Sequence, residues 1–100
     1  MVHHIVFWRL KEHALGNDKA TNARLIKEKL EGLAGKIPGL LRIEVGLDFS
    51  REDASADVAL YTEFESREAL AGYHHHPAHE ALKPFIAEVR SERRVVDYEA

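Results

Sequence analysis

The chain has 100 residues, 45% hydrophobic and 31% charged, with a formal net charge of −3. That is the size and composition of one globular domain covering residues 1–100, and a slightly acidic chain without a basic stripe argues against nucleic acid as a partner. Cysteine is absent, which excludes disulfides, thiolate catalysis and cysteine-ligated zinc.

No apolar run is longer than Ile5 to Trp8, which is far too short to span a membrane. The N-terminus lacks the basic segment and apolar stretch of a secretory signal, so the expected setting is cytoplasmic, with no membrane partner. Seven histidines are the one compositional oddity.

Val2 to Leu10 reads as a strand rich in β-branched and aromatic residues. His4, Val6, Trp8 and Leu10 share one face; Ile5, Phe7 and Arg9 share the other. Glu12 to Asp18 reads as a polar connection in which Asn17 or Asp18 can cap a helix. Ala23, Ile26, Leu30, Leu33 and Ile37 then recur at helical spacing, until Gly35 and Pro38-Gly39 end the helix. Leu41, Ile43, Val45, Leu47 and Phe49 alternate with polar residues and predict a second strand. Val58, Leu60, Thr62 and Phe64 predict a third. Ser66 is a good N-cap for a short helix carrying Leu70 and Tyr73, and Pro77 suits the first position of another. Pro84 must kink that helix or begin a further segment. Arg94 to Glu99 closes the chain as a strand.

The order β-α-β-β-α-β predicts an α+β, ferredoxin-like fold with a four-stranded antiparallel sheet. Helices cover one face of such a sheet. The expectation here is that the bare face carries His4, Val6 and Trp8, with Val96 and Tyr98. A bare apolar face is a liability, and a second copy related by a two-fold axis is the simplest cover. A homodimeric α+β barrel is therefore expected.

Tyr73-His74-His75-His76-Pro77-Ala78-His79 is the most specific local signal. Imidazole exchanges protons near neutral pH, and a phenol can donate a hydrogen bond to a developing oxyanion. Each residue also has a quieter reading. His79 could hold its helix by bonding to backbone, Tyr73 could be a core ring, and His4 a satisfied lining histidine. Three consecutive histidines cannot all face one ion on a regular backbone, and no HExxH spacing is present. No metal site and no cofactor are expected, and the dipole at a helix C-terminus is reason enough for His74 to His76. Trp8 reads as pocket wall or dimer core. By alternation with Val96, Arg94 points into the barrel, where it could partner an anion.

His4-Ile5-Val6-Phe7, Phe64-Glu65-Ser66, Tyr73, His76-Pro77-Ala78-His79 and Val95-Val96-Asp97-Tyr98-Glu99, in this order, resemble the stress-responsive dimeric α/β-barrel (Dabb) family. The resemblance runs over nearly the whole chain. One characterised type in that family is the cofactor-free polyketide cyclase olivetolic acid cyclase, which closes a linear polyketide by an aldol reaction. The resemblance implies His79 as general base and Tyr73 as the group holding a substrate carbonyl, with His4 beside them. Val58 stands where that enzyme carries a further pocket histidine, which implies a different pocket. Three classes follow: a dimer that binds a small hydrophobic or carbonyl-rich ligand without catalysis; a cofactor-free acid–base enzyme using His79 and Tyr73; and a monooxygenase of the antibiotic-biosynthesis type, which shares the barrel but not the HPAH ending.

Overall fold

Ten elements follow one another in a computed structural model that describes residues 1–100: β1 (Val2–Leu10), β2 (His13–Ala14), β3 (Asn17–Asp18), α1 (Lys19–Glu31), β4 (Leu40–Leu47), β5 (Val58–Phe64), α2 (Arg67–His75), α3 (Pro77–Glu80), α4 (Lys83–Val89) and β6 (Arg90–Glu99). The main sheet is antiparallel, in the order β4-β5-β1-β6. This is the ferredoxin-like α+β fold. No helix is long and apolar enough to cross a membrane.

The caps explain where the helices begin. The Asp18 carboxylate accepts from the Thr21 N–H at 2.8 Å and opens α1. The Ser66 hydroxyl accepts from the Ala69 N–H at 3.1 Å and opens α2. Each cap satisfies a donor that a helix start otherwise leaves unpaired. Gly32 ends α1 earlier than the apolar spacing suggests, yet Leu33 and Ile37 stay buried in the turns beyond it. Pro84 starts a separate helix, α4, rather than kinking a longer one.

The register fixes which residues share a face. His4 pairs with Thr62 and Asp97, Val6 with Leu60 and Val95, and Trp8 with Val58 and Arg93. Directly paired residues point to the same side of a sheet. Val6, Trp8, Leu60 and Val58 are buried against Ile26 and Leu30 of α1, Tyr73 of α2 and Ile86 and Val89 of α4. Each fully buried aliphatic side chain in this layer stabilises the fold by about 1.5–3 kcal/mol.

This corrects the expected bare face. His4, Val6 and Trp8 lie under the helices. The uncovered face carries His3, Ile5, Phe7, Tyr61, Arg94, Val96 and Tyr98, of which Phe7, Val96 and Tyr98 are exposed apolar or aromatic side chains. Val96 and Tyr98 were correctly placed on it, but β1 turns its other side there. Both faces of β1 are apolar, so alternation alone could not decide between them.

Three boundaries also differ. The segment read as a polar connection forms the small hairpin β2–β3, with Leu15 and Gly16 at positive φ. β4 stops at Leu47, leaving Phe49 beyond it and exposed. β6 begins at Arg90, four residues before the expected start. The β4 edge is blocked by α1: Lys27 Nζ donates to the Val45 carbonyl at 2.6 Å, and Glu31 Oε2 accepts the Val45 N–H at 3.0 Å. Filling these edge groups denies them to another strand.

Candidate functional site

The residues of the histidine motif are placed by a broken helix. Leu70 and Tyr73, three apart on α2, are its buried residues and face the sheet. A residue before proline avoids the helical region, and His76 is accordingly extended. Its Nδ1 accepts the Ala78 N–H at 3.1 Å, so it caps the short helix α3 that Pro77 begins. The restart folds His79 back on its predecessor: its ring stacks on Tyr73 with centroids 4.1 Å apart and planes inclined by 30°.

His4 reaches the same place from the sheet. Its ring lies 6.1 Å from Tyr73 and 5.2 Å from His74, edge-on to both. Its Nδ1 is 2.5 Å from Oδ1 of Asp97, its partner across the β1–β6 ladder. That bond fixes the ring's orientation and leaves Nε2 as its free nitrogen.

These side chains line one cavity of about 340 Å³ between the sheet and the helices. Its apolar part is Val6, Trp8, Leu30, Leu60, Ile86 and Ala87, and its polar part is His4, Tyr73, His74, His79, Lys83, Arg90 and Arg93. Three polar atoms of the lining residues, Trp8 Nε1, the Tyr73 hydroxyl and His79 Nδ1, are shut off from solvent and have no protein hydrogen-bond partner. Buried polar atoms are nearly always paired, so three orphans around one cavity are unusual.

Burial sets the protonation states. It pulls His79 down to about 4. His79 is therefore a neutral imidazole at physiological pH. Burial also pushes the Tyr73 phenol up, keeping it a protonated donor. His74 is lowered, first by burial and then by the neighbouring His4.

Of the residues expected at the site, His4, Val6, Trp8, Tyr73 and His79 converge on this cavity. Val58 and Arg94 do not. Val58 is buried in the sheet layer beside Trp8. Arg94 pairs with Phe7 on the uncovered face, on the other side of the sheet from His79. Its neighbour Arg93 lines the cavity instead. Lys83 carries no signal in the sequence; Arg90 and Arg93 read there as solvated charges at a helix end and strand start, and His74 as a helix-end cation, yet all four line the cavity. No set of three or more histidine, aspartate or glutamate side chains is arranged to hold a metal ion.

A larger concavity, about 760 Å³, lies towards the β2–β3 hairpin. Four of its seventeen lining residues are hydrophobic, and charges inside it already pair, Lys19 with Glu12 at 3.1 Å and with Asp57 at 3.6 Å. It has the character of a solvated groove.

The model of the stress-responsive A/B barrel domain family matches residues 2–100. A dimeric ferredoxin-like protein of unknown function from Bacteroides fragilis is 34% identical. Its structure superposes with a TM-score of 0.87, over 99% of this chain and 95% of that one. An Arabidopsis thaliana protein is 26% identical, with a TM-score of 0.72 over 100% and 95% of the two chains. The hydroxynitrile lyase of Passiflora edulis shares the fold at 22% identity, with a TM-score of 0.76 over 97% and 90%. No curated protein matches the chain.

Proposed function

We propose that this chain, which belongs to the stress-responsive A/B barrel domain family, works as a homodimer whose subunits each hold a small carbonyl-bearing ligand between sheet and helices and move a proton on it. The dimer reading is supported by the exposed Phe7, Val96 and Tyr98 on the uncovered face and by the dimeric relative at 34% identity. The ligand reading rests on one observation: the unpaired Trp8 Nε1, Tyr73 hydroxyl and His79 Nδ1 all belong to side chains around a cavity with an apolar floor.

The chemistry follows from those atoms. A carbonyl oxygen accepts from the Tyr73 hydroxyl, which burial keeps protonated, and from the Trp8 indole, which can only donate. Neutral His79 takes a proton from the carbon beside that carbonyl. The electron pair left behind moves onto the oxygen, and the resulting enolate is held by the same two donors. Low basicity makes the His79 imidazolium a ready acid, so the proton returns to carbon or oxygen in the next step. All of these groups belong to the chain itself. The coarser function is ligand binding in the same cavity, without turnover.

The test is deuterium exchange into 2,4-octanedione followed by proton NMR at pH 5.5, where His79 is still neutral, with the rate read as the excess over a protein-free blank. The expected result is catalysed exchange in the wild type and a loss of about 100-fold in H79Q. Saturable binding without exchange would leave the binding function and remove the enzymatic one. Neither binding nor exchange would remove both.

A further inference from the structure

The cavity that the proposed function treats as a carbonyl site also has a charged rim. Lys83, Arg90 and Arg93 line it, and no aspartate or glutamate is among its thirteen lining residues. In a chain of net charge −3, three cations without a lining carboxylate need a reason. Lys83 has one, since its ammonium meets Glu80 at 2.6 Å and the His74 carbonyl at 3.0 Å. Arg90 and Arg93 have none: neither guanidinium lies within 4.0 Å of a carboxylate. Outside the cavity Arg42, Arg67 and Arg94 pair with Glu44, Glu99 and Glu92, while Arg9, Arg24 and Arg51 meet no carboxylate, so what sets Arg90 and Arg93 apart is their place together on the lining of this cavity.

The backbone brings the two free arginines to one side. Three residues apart on a regular strand, they would face opposite ways. β6 is irregular at this point: Arg9 pairs with Glu92 but Leu10 pairs with Arg90, leaving Ser91 without a partner. This bulge returns Arg90 to the face of Arg93, which pairs with Trp8. A bulge of this kind re-aims a side chain. Here it sets two guanidiniums without a carboxylate partner on the cavity that Trp8 and Tyr73 also line.

We propose, building on the carbonyl-site reading, that the substrate is an oxo acid: a small apolar chain bearing a carboxylate held by Arg90 and Arg93 and a keto group held by Tyr73 and Trp8. The guanidinium fork matches a carboxylate in plane and charge. The aliphatic tail lies on Val6, Leu30, Leu60 and Ile86, and the keto group sits between tail and carboxylate, as in a 3-oxo acid. The arginines act on binding, while His79 and Tyr73 act on the keto group.

Calorimetric titration with fresh 3-oxooctanoate and with its methyl ester separates the charge from the carbonyl. In low salt the acid is expected to bind at least tenfold more tightly than the ester, and its affinity should fall with added salt. In the double variant R90Q/R93Q the acid should weaken to the level of the ester, and the ester should be unchanged. R93Q alone, in the exposed strand, serves should the double variant melt early. Equal binding of acid and ester in the wild type would overturn the oxo-acid proposal and leave the carbonyl site standing. Binding of neither would overturn both.

Discussion

Replacing Tyr73 by phenylalanine removes one oxygen beside the cavity and leaves the packing in place. The ring is 1% exposed and keeps its contacts with Phe64, at 5.1 Å between centroids, and with His79, at 4.1 Å. The hydroxyl has no protein partner, and burying such a group unpaired costs about 1–3 kcal/mol. Taking the lower end of that range, Y73F should be about 1 kcal/mol more stable than the wild type. For a domain of this size that raises Tm by about 4–8 °C. The assay is thermal and urea unfolding at one fixed protein concentration, because a dimer's Tm depends on concentration. An unchanged m value would show that the variant exposes the same surface on unfolding. The same variant should exchange deuterium into 2,4-octanedione more slowly than the wild type. A gain in stability with a loss of function marks a group kept for a ligand. A loss of 1 kcal/mol or more would show that the hydroxyl is held by the protein, and the reasoning would fail.

Acid should destabilise the fold through His79. Its folded value of about 4 lies below the ordinary 6.5, so the unfolded chain binds the proton first. The stabilisation is complete above pH 6.5 and is lost as pH falls from there through about 4. Allowing for solvent screening of a half-buried ring, the loss is about 1–2 kcal/mol. H79Q should flatten the slope of urea stability over that window, leaving a smaller residue from His74. D97N removes the charge holding His4 and should cost about 1 kcal/mol, reduced because the carboxylate is half exposed; histidine nitrogen NMR should show the His4 ring losing its fixed tautomer. G39A should cost about 2–3 kcal/mol, since Gly39 has φ +80° and a Cβ there would sit 2.5 Å from that of Ala69; denaturant unfolding reads it directly. F7R places a charge on the uncovered face and should halve the mass seen by sedimentation equilibrium, from twice the 11.4 kDa chain mass to one chain.

The sequence was most informative where a residue acts locally. Asp18, Ser66 and Pro77 announce helix starts because capping is a property of a few adjacent residues. The convergence of Tyr73 and His79 follows from the proline restart between them. It was least informative where pairing decides. Which face of β1 meets the helices depends on the whole sheet. Arg93 rather than Arg94 reaches the cavity because register sets the parity of β6, and Arg90 joins it only through the bulge at Ser91. Asp97 stands in the recognised closing motif, but its bond to His4 spans 93 positions, and no local pattern marks such a partner. The hairpin β2–β3 escaped notice because its strands are two residues long and one of its turn residues is Leu15, a residue type that rarely adopts positive φ.

That a single ligand carbonyl meets Trp8 and Tyr73 beside His79 is tested most directly by the indole N–H of Trp8. It is the only tryptophan in the chain, so a proton–nitrogen correlation spectrum contains one indole signal per subunit. On titration with 2,4-octanedione that signal should move downfield and saturate, and in Y73F it should saturate at a higher ligand concentration. An indole signal that stays in place while backbone signals elsewhere shift and saturate would put the ligand outside this cavity and contradict the proposed site.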